Sequence, residues 1–222
     1  MQTICGIDEA GRGAVVGPLV IVGISIEEKD EKSLKELKVR DSKLLTRSQR
    51  EQLYDKILLV SMDYHIVIIL PEEIDRAVAG HDNLNLNWLE ANYSALIITK
   101  LAPDKAIIDC PSPNTTAYIQ YLRDNHALRK LTLIAEHKAD INYPVVSAAS
   151  IIAKVTRDRE IDKIKSSIKM DFGSGYPSDP CTIDFLEKHL ADFPWVFRKT
   201  WMTVQNHKMN KMQTKLVDYT LK

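Results

Sequence analysis

The feature that most constrains this chain is a short apolar run near the amino terminus that ends in two adjacent acids and a glycine-rich turn. The run is predicted to form a buried strand that ends at Asp8 and Glu9. Neighbouring side chains on a strand point to opposite faces, so both acids serve one site only if the backbone turns there. Gly11 and Gly13 can supply the turn, since glycine tolerates positive φ and lets a ligand approach the main chain. Arg12 adds a fixed positive charge suited to phosphate or carboxylate, although a solvated turn with an exposed ion pair is the simpler alternative.

The rest of the chain alternates between strand and helix patterns, in the order β-β-β-α-β-α-β-α. This order predicts an α/β domain with a mixed five-stranded sheet flanked by helices, in which the first two strands form an antiparallel pair. Residues 27–36 are expected to be an exposed, charged excursion. The predicted strands are residues 3–8, 18–26, 64–70, 105–109 and 131–135, and the predicted helices cover about 46–60, 72–79, 82–100, 115–124, 144–169 and 178–190.

Composition narrows the class of protein. The 222 residues can bury a substantial core, and no apolar run reaches the length of a membrane span, so no membrane contact is expected. The amino terminus lacks the pattern of a secretory signal, and we therefore expect a cytoplasmic protein. Cys5, Cys110 and Cys181 are widely spaced and form no C-x-x-C pair, which argues against disulfides or zinc and predicts small core residues.

The net charge does not indicate a nucleic-acid partner, because 30 basic residues balance 30 acidic ones. The distribution is uneven, however, and residues 193–222 are predominantly basic. Such a run is usually a solvated face, and contact with nucleic acid is the alternative.

Acids follow three of the five predicted strands: Asp8 and Glu9 the first, Asp109 the fourth and Asp140 the fifth. Ligand sites in open α/β sheets gather outside strand ends, so these acids can share one cleft. Packed carboxylates repel one another unless cations neutralise them, and an oxygen-rich ligand set suits Mg²⁺ or Mn²⁺. Two such ions can clamp the attacking and leaving oxygens of a phosphodiester displacement. Any one of these acids alone is more simply a turn former or helix cap.

Several ordered motifs in this chain together resemble the ribonuclease HII family, the type 2 ribonucleases H, and most of all its archaeal branch. The resemblance runs from residue 4 to about residue 180, and residues 198–201 resemble a motif of the archaeal tail. The motifs are GIDEAGRG at 6–13 with GP at 17–18, DSK at 41–43, ID at 108–109, HKAD at 137–140, VSAASIIAKV at 146–155 and GSGYP at 173–177.

The resemblance implies a ribonuclease H-like fold with a helical C-terminal extension, and we expect a catalytic domain over residues 1–170 and a substrate-binding extension over 171–222. It implies cleavage of RNA in RNA–DNA hybrids and at single ribonucleotides in duplex DNA. Our mechanistic hypothesis is that water attacks the phosphorus at a two-ion site and leaves a 3′-hydroxyl and a 5′-phosphate. The resemblance assigns four metal-binding catalytic acids, a loop that reads the ribose 2′-hydroxyl, a tyrosine that stacks at the RNA–DNA junction, and three residues near the substrate backbone. These are, in the same order, Asp8, Glu9, Asp109 and Asp140; Gly11, Arg12 and Gly13; Tyr176; and Lys43, Ser147 and Lys154.

Other interpretations stay open at this point. They are another two-metal nuclease of the same superfamily, such as ribonuclease HIII, and an inactive protein that binds hybrid nucleic acid. A small-molecule phosphate enzyme would need a glycine-rich loop that opens a helix, whereas a strand follows these glycines. We expect a monomer, and the tail is a candidate for contact with a sliding-clamp protein.

Overall fold

The centre of the molecule is a mixed five-stranded sheet, as the sequence predicts. The computed structural model describes residues 2–39, 45–126 and 128–220, the segment 212–220 as backbone only. The strands are β1 (Thr3–Ala10), β2 (Leu19–Glu27), β3 (Asp63–Ile69), β4 (Lys105–Asp109) and β5 (Thr132–Glu136). Their order in the sheet is β3-β2-β1-β4-β5. The pairs β1–β2 and β2–β3 are antiparallel, whereas the pairs β1–β4 and β4–β5 are parallel.

Helices cover both faces of this sheet. They are α1 (Glu31–Glu36), α2 (Arg47–Val60), α3 (Pro71–Val78), α4 (Leu86–Leu101), α5 (Thr115–Asn125), α6 (Ala139–Asn142), α7 (Pro144–Ile168), α8 (Pro180–His189) and α9 (Met202–Thr220). One core lies under α3, α4 and α5 and includes Cys5 and Ile7, whereas the other lies under α1, α2 and α7 and includes Ile4. The alternation along β1 follows from the period of two on a strand.

Helix α7 lies unusually close to β1 at its amino-terminal end. A Cβ placed on Gly6 would come within 2.4 Å of the Val145 carbonyl carbon, so only glycine fits at that point of the strand. The helix begins with small residues, Ser147 and Ala148 among them, and both are fully buried. Their small size permits the close approach that the sequence predicts.

Helix caps set several boundaries. Thr46 forms a capping box with Gln49 at the start of α2, and Asp179 caps α8. The predicted start of the long helix at 82–83 is wrong, because α4 begins at Leu86 with Asn85 as its cap. The preceding residues form a short 3₁₀ turn in which Asp82 has a φ of 59°.

Two further expectations need correction. Residues 27–36 are not simply an exposed excursion, because α1 forms there and Leu34 is fully buried against α7 and the sheet. Of the three cysteines, Cys5 and Cys110 are buried as predicted, but Cys181 is exposed at the start of α8. The residues next to Cys181 in the sequence do not indicate which face of α8 is exposed.

The segment after α7 packs back onto the loop between β1 and β2. A third core cluster joins Val15 and Val16 to Phe172, Phe185 and Phe197, and Val16 forms an isolated antiparallel bridge with Phe197. Across the described ranges, none of the helices combines the length and apolar character needed to cross a bilayer. The division at residue 170 stays a prediction.

Candidate active site

Three aspartates meet where neighbouring strands end. Asp8 lies near the end of β1 and Asp109 at the end of β4, while Asp140 lies in α6, which follows β5. The parallel pairing of β1, β4 and β5 brings these ends to one edge of the sheet. One carboxylate oxygen from each of the three lies within 4.8 Å of the others. The convergence of these acids is thus a property of the strand order.

Glu9 lies beside this cluster and is only half-buried. It is not one of the three clustered acids of the described chain, because adjacent side chains on β1 leave the strand on opposite sides. Burial raises the pKa of Glu9 well above its usual value, and repulsion from Asp8, Glu90 and Asp109 raises it further. Those repulsions show that Glu9 shares the electrostatic environment of the cluster.

The Asp8 carboxyl is buried and lies beside other acids. Burial raises the pKa of Asp8 to about 8, with further repulsion from Asp109 and Asp140. Hydrogen bonds from the Ser150 hydroxyl and from the Glu9 amide, whose nitrogen lies 2.7 Å from Asp8 Oδ1, favour the charged form but do not offset the burial. A nearby cation would stabilise the ionised carboxylates.

The donor set therefore fits a hard divalent cation. All the candidate ligand atoms are carboxylate oxygens, which Mg²⁺ and Mn²⁺ prefer. The backbone also fixes one of them, because the Ala139 amide donates to Asp109 Oδ1 over 3.1 Å. His137 has a structural contact instead. Its Nδ1 lies 3.2 Å from the Cys110 carbonyl oxygen, and this contact joins the loops that follow β4 and β5.

The glycine loop that follows Glu9 is shaped by positive φ and by side-chain anchors. Gly11 has a φ of +89°, and a Cβ there would lie 2.7 Å from the Pro18 carbonyl oxygen. The Arg12 Nε lies 3.0 and 3.1 Å from the two carboxylate oxygens of Glu90, and its Nη2 donates to Asn87 Oδ1 over 2.7 Å. The Arg12 side chain therefore fastens the loop to α4. A Cβ on Gly13 would meet nothing within 4 Å, so the loop is open on that side.

Glu90 is a site residue that the sequence analysis missed. It is 2% exposed, and burial raises its pKa to about 7 although the Arg12 guanidinium acts in the opposite direction. The available signal was an acid within the apolar face of a long helix, beside Leu89 and Ala91.

Tyr176 lies on the loop between α7 and α8 and is half-buried. Its ring lies 4.7 Å from the Arg157 guanidinium carbon, a cation–π geometry. Arg157 is itself buried and donates from Nη2 to the Ser174 carbonyl over 2.7 Å. The Gly175 carbonyl accepts from the amides of Val15 and Val16, at 2.8 and 3.1 Å. The tyrosine loop and the glycine loop are thus joined directly.

The remaining predicted residues fall in different places. Ser147 is fully buried and its hydroxyl donates to the Val39 carbonyl, so its side chain supports the packing of α7 and not a substrate surface. Lys154 is half-buried on α7. Lys43 lies outside the described residues. Sequence reasoning also missed Ser150, Arg157 and Arg198 as parts of the site.

Comparisons with known proteins agree with this architecture. The family model described as Ribonuclease HII matches residues 5–204. Ribonuclease HII of Pyrococcus horikoshii is 43% identical over 91% of each chain, and that of Methanosarcina acetivorans is 42% identical over 91% of this chain and 94% of its own.

Solved structures give the same result. The crystal structure of ribonuclease H2 from Pyrococcus horikoshii superposes with a TM-score of 0.85 at 41% identity, over 94% of this chain and 98% of that one. The ribonuclease HII of the PCNA:RNase HII complex from Archaeoglobus fulgidus gives 0.82 at 39% identity, over 92% and 96%. A ribonuclease HIII in complex with Mn²⁺ gives 0.81 at 17% identity over 94% of this chain and 70% of its own, which supports the ribonuclease H-like fold alone. The chain therefore belongs to the ribonuclease HII family of metal-dependent endonucleases, which act on RNA–DNA hybrids.

Proposed function

We propose that this protein cleaves the RNA strand of hybrids and also cleaves at single ribonucleotides embedded in duplex DNA, leaving a 3′-hydroxyl and a 5′-phosphate. The observation that carries this proposal is the convergence of Asp8, Asp109 and Asp140 within one metal ion's reach, a few residues from the glycine loop. Residues 8–13 thereby supply two of the acids for the chemistry, and they also supply backbone groups for substrate selection.

The four acids Asp8, Glu9, Asp109 and Asp140 are the groups that would hold two Mg²⁺ or Mn²⁺ ions. When bound, such ions activate water and neutralise charge on the phosphate. The protein's own contribution is to hold the acids in place: the Glu9 amide and the Ser150 hydroxyl orient Asp8, and the Ala139 amide orients Asp109. Burial and the neighbouring carboxylates raise the pKa of Asp8, and a bound cation would favour its ionised form.

The glycine loop is the proposed reader of the ribose. The amides of Arg12 and Gly13 have no hydrogen-bond acceptor within the described part of the chain, and the loop is open beside Gly13. A 2′-hydroxyl accepts and donates hydrogen bonds and is the group that distinguishes RNA from DNA. Two amides of a tight turn are therefore suitable donors to it.

Tyr176 is the proposed stacking partner at the RNA–DNA junction. Base stacking on an aromatic ring is tolerant of sequence, which suits an enzyme that selects a sugar and not a base. The buried Arg157 supports one face of the ring, and the joined loops fix the distance between ring and ribose reader. Lys43 and Lys154 stay candidates for contact with the substrate backbone.

Two finer statements belong to the same proposal. The solved PCNA:RNase HII complex supports contact between the tail of this chain and a sliding clamp. A monomer is the proposed working state, since the four acids, the glycine loop and Tyr176 all come from one chain.

A cleavage assay tests the proposed function directly. The substrate is a labelled DNA duplex with one embedded ribonucleotide, incubated with Mg²⁺ or Mn²⁺, and an all-DNA duplex of the same sequence is the matched control. We expect a single cut on the 5′ side of the ribonucleotide, a 5′-phosphate on the downstream product, and no cut in the control. Binding without cleavage in either metal would favour the inactive hybrid-binding protein instead.

A further inference from the structure

Arg198 is a fully buried arginine in the segment between α8 and α9. The guanidinium has no carboxylate within 4.0 Å in the described ranges, and it lies 4.9 Å from the Trp201 ring. The predicted basic face of the tail therefore does not include this residue. A buried, unpaired guanidinium is expensive, so the groups it does contact must compensate for its lost hydration.

All three nitrogens of the Arg198 guanidinium donate hydrogen bonds to backbone carbonyls of the loop between β1 and β2. Its Nη2 donates to the Gly11 carbonyl over 2.7 Å, its Nη1 to the Arg12 carbonyl over 2.8 Å, and its Nε to the Gly17 carbonyl over 3.1 Å. One planar fork thus holds three carbonyls of the loop between β1 and β2. Charge-assisted hydrogen bonds of this kind are stronger than neutral ones and fix direction as well as distance.

A second buried arginine lies against the same turn. The Arg157 side chain would be within 3.3 Å of a Cβ on Gly11, and its Nε has no hydrogen-bond partner in the described part of the protein. Burial lowers the pKa of Arg198 to about 9, and repulsion from Arg157 lowers it further, although Tyr176, Asp75 and Glu90 act in the opposite direction. Two adjacent buried cations oppose stability, which argues that the Arg198 fork serves more than packing.

The geometry of the peptide bond links this fork to the open side of the loop. The Gly11 carbonyl and the Arg12 amide belong to one planar peptide unit, and the Arg12 carbonyl and the Gly13 amide belong to the next. In a trans unit the C=O and N–H bonds point in opposite directions. Because one guanidinium holds both carbonyls, both amides point away from the buried Arg198.

We propose that Arg198 is a positioning residue that aims the amides of Arg12 and Gly13 at the 2′-oxygen of the ribonucleotide. This inference rests on the proposed function of the glycine loop and extends it to the C-terminal segment. A fully buried side chain cannot touch substrate, so Arg198 acts only through the two peptide units. Selection of the sugar then depends on the docking of residues 196–201 onto the catalytic domain.

The test separates sugar selection from folding and from chemistry. In an Asp8→Asn background, which prevents cleavage, we would measure the affinity for a duplex with one ribonucleotide and for the same duplex with deoxyribose at that position. The ratio of the two dissociation constants reports contact with the 2′-hydroxyl, since phosphates are common to both duplexes. Arg198→Lys keeps a positive charge but loses the planar fork.

We expect Arg198→Lys to reduce this ratio about 10-fold, toward one, mainly by weakening the ribonucleotide duplex. Val204→Ala is the matched control, because Val204 is fully buried in the same C-terminal core and forms no hydrogen bond with Gly11, Arg12 or Gly13 in the described part of the protein. It should lower the melting temperature and leave the ratio unchanged. If Arg198→Lys does not fold, Trp201→Leu removes the ring beside the intact guanidinium and should lower the ratio by a smaller factor.

A ratio that persists in the Arg198→Lys protein, or in Trp201→Leu when that variant is needed, overturns the inference. A ratio near one in the Asp8→Asn parent also overturns it. In either case the unmodified protein still reports on the proposed function, because ribonucleotide-dependent cleavage would continue. Absence of that cleavage would contradict the proposed function by itself, whatever the binding ratio shows.

Discussion

The acid cluster and the glycine loop lie close together in sequence but have opposite electrostatic character. The cluster gathers carboxylates that repel one another, and burial together with this repulsion raises the pKa of Asp8 to about 8. Two buried arginines, Arg157 and Arg198, lie against the loop, and the Gly11 and Arg12 carbonyls accept hydrogen bonds from Arg198. One region needs a cation from solution, whereas the other is completed by the protein.

This difference separates the two tasks that we propose for the enzyme, cleavage and selection of the sugar. A site built from repelling acids gains its final geometry when metal binds, so its chemistry depends on metal concentration and pH. A turn held by internal hydrogen bonds has its geometry before substrate arrives, which lowers the cost of recognition. Changes in the two regions should therefore have separable effects on cleavage and on sugar selection.

The largest effect is expected from Asp8→Asn. The change keeps the side-chain volume but removes the charge at the centre of the cluster, so cleavage should fall by about 1,000-fold or more. Binding of an RNA–DNA hybrid should change by less than about 3-fold, because removal of one buried negative charge leaves the glycine loop intact. Single-turnover cleavage and fluorescence anisotropy measure the two quantities, and full activity in this variant would contradict the assignment of the acid cluster.

A smaller effect is expected from Tyr176→Ala. Loss of one stacking partner should slow cleavage at a single embedded ribonucleotide by about 5- to 100-fold. Tyr176→Phe is the control, because it keeps a ring over Arg157 and removes only the hydroxyl. If the alanine variant folds and cleaves at the unchanged rate, Tyr176 is a packed loop residue and not a substrate contact.

The smallest effect concerns stability without metal. The folded-state pKa of Asp8 lies near 8 and its usual value is 3.8, so the native protein binds the extra proton across this interval. Stability of the EDTA-treated protein should therefore be highest at the acidic end of the interval and fall as pH rises through it. Added Mg²⁺ should recover more stability at pH 8 than at pH 6, since protons compete with the ion.

Asp8→Asn checks whether Asp8 causes this dependence of stability on pH. At pH 8 the EDTA-treated Asp8→Asn protein should melt about 2 to 8 °C above the EDTA-treated parent, because about 1 to 2 kcal/mol of repulsion and desolvation is relieved. Thermal melts over a pH series measure it. An unchanged pH slope in the variant would assign the dependence to other buried acids, such as Glu90.

Much of the fold followed from local pattern. The five strands and most helices were predictable because apolar periodicity and caps such as Thr46 are properties of a short segment. The start of α4 was not, because Asp82, Asn83 and Asn85 all favour caps and turns, and only the packed helix selects Asn85. Exposure of Cys181 depends likewise on how α8 packs.

The sequence alone pointed to Asp8, Asp109 and Asp140 of the acid cluster and to Glu9 beside it, because these acids follow strands and because the motifs resemble ribonuclease HII. Only the tertiary structure decided how the glycine loop is held. Glu90 and Arg198 lie 78 and 186 residues from their Arg12 partner groups, and no local pattern connects them. Arg198 in particular resembles a surface charge in sequence. Its role follows from long-range burial, where the loss of hydration makes every available carbonyl a required partner.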